Sequence, residues 1–203
     1  MKQRAHGFTL LEVLFALALF GVLLSLLGTA LSVGSRALSK GERYAQRLDE
    51  MRAAQNVLRQ VLQHTLPLEL ERGRDGRPVV FDGQGQRLRF SAVLPQALGG
   101  RIRVQTLELA DTARGQTLRM AFATQALQPW GEPQTLIEGV RDLRLTYRGQ
   151  GPNGVATGWV ERWPWPGRLP QKVRIELTAQ GPVGWVPQTI ALRVDPGGVE
   201  GAR

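Results

Sequence analysis

The chain has 203 residues, no cysteine, and a formal net charge of +9 from 26 basic and 17 acidic side chains. Without cysteine there is no disulfide, thiolate nucleophile or cysteine-built zinc site, so any domain must hold by its core alone. The length suits one membrane helix plus one domain of about 130 residues. The basic residues are scattered, with Arg72, Arg74 and Arg77 densest and Arg101 and Arg103 next. That reads as a solvated face or an affinity for anionic lipid, since no aromatic-rich basic motif of nucleic-acid modules is present.

The chain opens on MKQRAHG, a basic leader over residues 1–7, and continues through GFTLLEVLFALALFGVLLSLLGTALSV to residue 33. Residues 8–33 are predicted as an apolar helix, and about 25 residues at 1.5 Å rise suffice for a hydrocarbon layer of ~30 Å. One charge, Glu12, interrupts it. An acid inside a membrane-length helix costs roughly 2.5–3.5 kcal/mol on insertion scales and should have a partner. Cutting after Gly7 would supply one, the new α-amino group of Phe8. An ordinary secretory signal, cleaved near Gly28-Thr29-Ala30, leaves Glu12 without purpose. A plain transmembrane anchor and a buried helix of a soluble domain are further readings, and the length of the run argues against the last.

Past the apolar run the pattern becomes amphipathic. Gly34-Ser35 is no stop, since glycine inside a helix costs only ~1 kcal/mol. Tyr44, Leu48, Met51, Gln55, Leu58 and Leu62 form one helical stripe, widened by Ala45, Ala54, Val57 and Val61. An amphipathic helix is therefore predicted over residues 34–67, continuous with the first and closed at or just before Pro67.

Period two then takes over. Val79-Val80-Phe81 reads as a short strand, Asp82-Gly83-Gln84-Gly85 as a hairpin turn, and residues 87–91 as the return. Residues 101–109 alternate, with a slip near Gln105-Thr106. Residues 117–124, 135–138, 140–147, 172–178 and 188–194 make further strands. A loop rich in Gly, Pro and Trp spans residues 149–170, and residues 196–203 form a Gly-rich tail. The predicted fold class is α+β, with one helix against antiparallel sheet in a domain over residues 68–195.

Catalytic signatures are missing. No GxSxG, P-loop or HExxH occurs, His64 reads as a helix-end residue, and Asp82 alone cannot supply the six to eight oxygens calcium needs. No enzyme, cofactor or metal is expected. Trp159, Trp163 and Trp165 lie among Pro164, Pro166 and Gly167, and Trp130 sits between Pro129 and Gly131. Such a loop reads either as core filling or as a partner contact.

The order Gly7-Phe8-Thr9-Leu10-Leu11-Glu12 behind a basic leader resembles the class III signal of type IV pilins and type II secretion pseudopilins. LIEGVRDLRLTYRG, residues 136–149, and GWVERWPWPGRLPQKVRIELTA, residues 158–179, resemble the J-type minor pseudopilin of the type II secretion system. The resemblance covers most of the chain and is least over residues 72–130. It implies a type IV pilin-like fold: a long N-terminal helix, half membrane and half amphipathic, packed on antiparallel sheet. It implies that an aspartyl prepilin peptidase cuts after Gly7 and methylates Phe8, and that Glu12 aligns the subunit with its neighbour's N-terminus. It also implies a place with the I, K and H types in the tip complex that initiates or caps the pseudopilus. The protein would cross the bacterial inner membrane once, with its C-terminal domain in the periplasm and Trp159, Trp163 and Trp165 available as partner contacts. No nucleic acid is expected as a partner. A minor pilin of a type IV pilus or DNA-uptake machine is the alternative, for which the basic charge would have meaning.

Overall fold

The computed structural model describes residues 10–94, 99–113 and 115–193, with side chains of residues 26–40 not among those described. The expected leader, the pair Gly7 and Phe8, and the tail over residues 196–203 all lie outside the described residues. The chain divides into two compact units, one ending at Gln46 and the other starting at Arg47.

A single helix, α1 (Leu10–Gln63), runs for 54 residues, so Gly34-Ser35 does not interrupt it. In the first unit its described apolar side chains face outward: Leu10 is 83% exposed, Phe15 68% and Leu23 63%. Among the described residues no helix is long and apolar enough to cross a membrane. Side chains of the apolar run are described only from Leu10 to Ser25, short of the roughly 20 residues a crossing needs.

In the second unit α1 buries Met51, Ala54, Leu58, Val61 and Leu62, with Leu48 at the margin. These recur every three or four residues, as one helical face requires. The stripe is narrower than predicted, because Val57 and Tyr44 remain exposed. Val57 is displaced by about 100° around the axis from Leu58, which takes it off the buried face. The helix ends before Pro67. Thr65 Oγ1 donates to Leu62 O at 2.9 Å, and His64 N donates to Val61 O at 3.2 Å, satisfying carbonyls that the last turn leaves open.

Among the described residues ten strands follow: β1 (Thr65–Leu66), β2 (Glu71–Arg72), β3 (Pro78–Val79), β4 (Phe81–Gly83), β5 (Arg87–Val93), β6 (Ile102–Thr112), β7 (Gly115–Ala123), β8 (Gln134–Arg148), β9 (Lys172–Ala179) and β10 (Gln188–Ala191). The main sheet has the order β1-β5-β6-β7-β8-β9-β10, with β4 also paired to β5, while β2 and β3 form a separate ribbon. Every pairing is antiparallel, and β5 to β10 are neighbours in chain order. The predicted strand at Val79-Val80-Phe81 is divided, because Val79 pairs with β2 and Phe81 with β5.

Two sequence irregularities have different causes. The expected slip near Gln105 is absent: Phe90↔Gln105↔Phe122 stands in unbroken register. Gln105 instead occupies a core-face position as a polar residue, with no exposed surface and, among the described residues, no hydrogen-bond partner for its amide. The gap between residues 135–138 and 140–147, in contrast, is a bulge inside one strand. Gly139 has φ +67 there, and the register with β9 shifts between Val140 and Asp142.

Leu88, Phe90, Leu107, Leu118, Leu143, Leu145, Val173 and Ile175 line the sheet's inner face and are essentially inaccessible. Alternate residues of each strand supply them, as the two-residue period demands.

Candidate assembly surfaces and the tryptophan loop

Glu12 lies in the first turn of α1, among Leu10, Leu11, Leu14 and Phe15, all exposed. Among the described residues Glu12 forms no ion pair. Its described neighbours on the helix are apolar, with small residues Ala16, Ala18 and Gly21 among them. A Cβ added at Gly21 would meet nothing within 4 Å. A helix apolar all round belongs inside a membrane or an assembly, and an exposed patch of this size marks an interaction surface.

The loop between β8 and β9 is folded tightly. Tyr147 and Val160 exchange both backbone hydrogen bonds, at 2.8 and 2.9 Å, so Val160 extends the edge of β8. Pro166 O accepts from Val80 N and Phe81 N, and Trp163 N donates to Gly83 O at 3.0 Å. The loop is thereby pinned to β4.

The tryptophans take different roles within it. Trp163 is 4% exposed and belongs to the core, with Nε1 donating to Arg168 O at 2.7 Å. Its ring lies over Gly149, where a Cβ would sit 2.8 Å from Trp163 Cη2. Trp165 meets Trp163 edge to face at 5.1 Å and rests on Gly151, where a Cβ would sit 2.7 Å from Trp165 Cζ2. Trp159 is half-buried, and the Arg174 guanidinium stacks over it at 4.1 Å from the ring centre. Trp130 packs at the opposite end of the sheet, edge to face with Phe122 and under Arg103.

The sequence reading assigned no role to Trp185, Gly149 or Gly151. Trp185 is 8% exposed and donates from Nε1 to Ile175 O at 3.1 Å. Gly149 and Gly151 are the seats of Trp163 and Trp165. The matching Gly-x-Gly and Trp-x-Trp spacings were the available signal. Tyr147 carries the junction itself: it lies edge to face with Phe81 at 5.7 Å and donates from its hydroxyl to Gln84 O at 2.8 Å.

An open cleft near the bulge is lined by Arg47, Thr117, Glu138 and Gln180. Arg47 uses its guanidinium on Glu138 O at 2.7 Å, Gln180 O at 3.3 Å and the Glu50 carboxylate at 2.9 Å. The cleft is a joint between helix and sheet. His64 is exposed, and its Nδ1 lies 2.7 Å from Gln60 O.

Comparison with known proteins places these features in one family. Residues 29–192 match the family model of type II secretion system protein J, and residues 2–28 match that of the prokaryotic N-terminal methylation motif. The type II secretion system protein J of Xanthomonas campestris pv. campestris is 33% identical over 214 aligned positions, which cover 98% of each chain.

Proposed function

This chain belongs to the protein J family of the type II secretion system, a family of minor pseudopilins, and we propose that its apolar helix is an assembly device completed by processing. The family is a structural component of the secretion system, and other pseudopilins are its partners. In this reading prepilin peptidase removes residues 1–7 by cutting after Gly7, and Phe8 is methylated. The type IV pilin-like chain then sits in the inner membrane through residues 8–33 and carries its domain in the periplasm. There it joins the I, K and H types at the tip of the pseudopilus, where the half-exposed Trp159 is available to a partner and the buried Trp163 is not.

The observation that carries this is the single acid, Glu12, among the outward-facing apolar side chains described from Leu10 to Ser25. A lone carboxylate in hydrocarbon is costly, and a neighbouring subunit's terminal ammonium at ~4 Å offsets that cost. The ammonium exists at Phe8 only after cleavage.

N-terminal analysis of protein from cells with and without the prepilin peptidase tests the processing step. Protein from the first should begin at methylated Phe8, and that from the second at the intact leader. A start near Leu31 in both would indicate an ordinary secretory signal. Glu12→Ala should be cleaved normally yet recovered poorly with the I, K and H pseudopilins. Recovery at the wild-type level would rule out the role given to Glu12.

A further inference from the structure

We propose that the outer face of β8 and β9 is a docking surface for a carboxylate-bearing segment of another protein, centred on Arg148, Lys172 and the Arg174–Trp159 stack. The inference is independent of how α1 assembles. Arg148 stands directly opposite Lys172, and Thr146 opposite Arg174. All four side chains lie on the face away from the core, since the core face of these strands is taken by Leu145, Tyr147, Val173 and Ile175. Like charges directly opposite each other in an antiparallel pair are destabilising.

Several other cations of the domain are neutralised by neighbouring acids. Glu108 pairs with Arg119 at 2.7 Å and with Arg87 at 3.6 Å, Glu71 and Asp82 face Arg89, and Arg144 meets Glu161 at 2.6 Å. Arg148 and Lys172 are both exposed, and neither has an ion pair among the described residues. Glu176 stands opposite Arg144, so the acids of this face gather at its other end. Arg103 and Arg141 also lack an ion pair among the described residues, but Arg148 and Lys172 are the one pair of cations that stand directly opposite each other there, on the strands that carry Arg174 and its stack with Trp159. That ring is held in place by the Tyr147–Val160 backbone exchange, so it is preorganised. Arg and Trp on a fixed frame are the residue types that anchor protein partners. A lipid surface would not need a rigid aromatic beside paired cations, and an acidic protein segment makes use of both.

Full-length protein in neutral detergent, titrated with labelled poly-L-glutamate, tests this by fluorescence anisotropy. The double variant Arg148→Gln/Lys172→Gln should weaken binding by about tenfold, while Arg59→Gln/Arg101→Gln, which removes as much charge from other exposed positions, should change it by less than about twofold. Arg148→Glu creates an opposite-charge pair with Lys172, so it should abolish binding and raise the thermal midpoint together. Equal losses in both double variants would reduce the effect to overall charge and overturn the proposal. So would the absence of poly-glutamate binding, or retention only on phosphatidylglycerol-containing vesicles with none on poly-glutamate. A lower midpoint in Arg148→Glu would show that the opposed cations are not in tension.

Discussion

Tyr147 concentrates several demands in one side chain. It has no exposed surface, it fills the space beside Gly83 so closely that a Cβ there would lie 2.7 Å from its Cζ, and its hydroxyl finds the Gln84 carbonyl. Burial, reinforced by the charge of Asp82, pushes its phenol far above the ordinary value of 10. The sign of the consequence follows from proton binding. Below pH 10 the phenol is neutral in both the folded and unfolded chain and contributes no pH dependence. As pH rises past about 10 the unfolded chain releases this proton while the folded one keeps it, so stability falls. Thermal or urea unfolding across pH 8 to 11.5 should therefore show an alkaline loss that is smaller in Tyr147→Phe. The variant should itself be less stable at neutral pH by roughly 1 kcal/mol, the net worth of a buried hydrogen bond left half-made. An unchanged alkaline slope would place the titration elsewhere.

Among the elements, α1 shows how far periodicity carries. Its spacing picked out Met51, Leu58 and Leu62, and the structure buries all three. It also included Val57, which remains 41% exposed. Sequence spacing gives the angle of a side chain around the helix but not how much of the circumference the sheet covers. Leu58→Ala should cost about 2–5 kcal/mol, whereas Val57→Ala should stay within about 0.5 kcal/mol, since only the first leaves a cavity. Equal effects in urea denaturation would mean that both positions pack alike. The strands were legible wherever inner positions are apolar. Gln105 was misread as a slip because a buried amide at a core position looks, in one dimension, like an alternation out of phase. The bulge at Gly139 looked like the end of a strand for a related reason: φ of +67 needs glycine, and glycine also punctuates turns. In the Trp loop the residues were visible but their division of labour was not. Burial of Trp163 depends on Gly149, and the Arg174–Trp159 stack depends on a partner fifteen positions away in sequence.

At the scale of the whole molecule, the two units are built on different principles. The core draws its helical members from Met51 onward, with Leu48 beside it, and is completed by the strands up to β10 and by Leu192. It includes no described residue of the first unit. Arg47, which ties the helix to Glu138 and Gln180, belongs to the second unit as well. A fragment of residues 41–203 thus keeps every described core contact and the polar joint, while losing the exposed apolar side chains from Leu10 to Ser25. The expected outcome is a soluble monomer that unfolds cooperatively. Its thermal midpoint should respond to Leu58→Ala by about 2–4 °C for each kcal/mol lost. Sedimentation and calorimetry check both parts. If the fragment aggregates or melts without a transition, the apolar helix must be contributing to the fold of the domain and not only to assembly. If it melts as a single unit, then α1 before Gln46 is free to be specialised for its neighbours, and substitutions there, Glu12→Ala among them, should change association while leaving the domain's midpoint where it was.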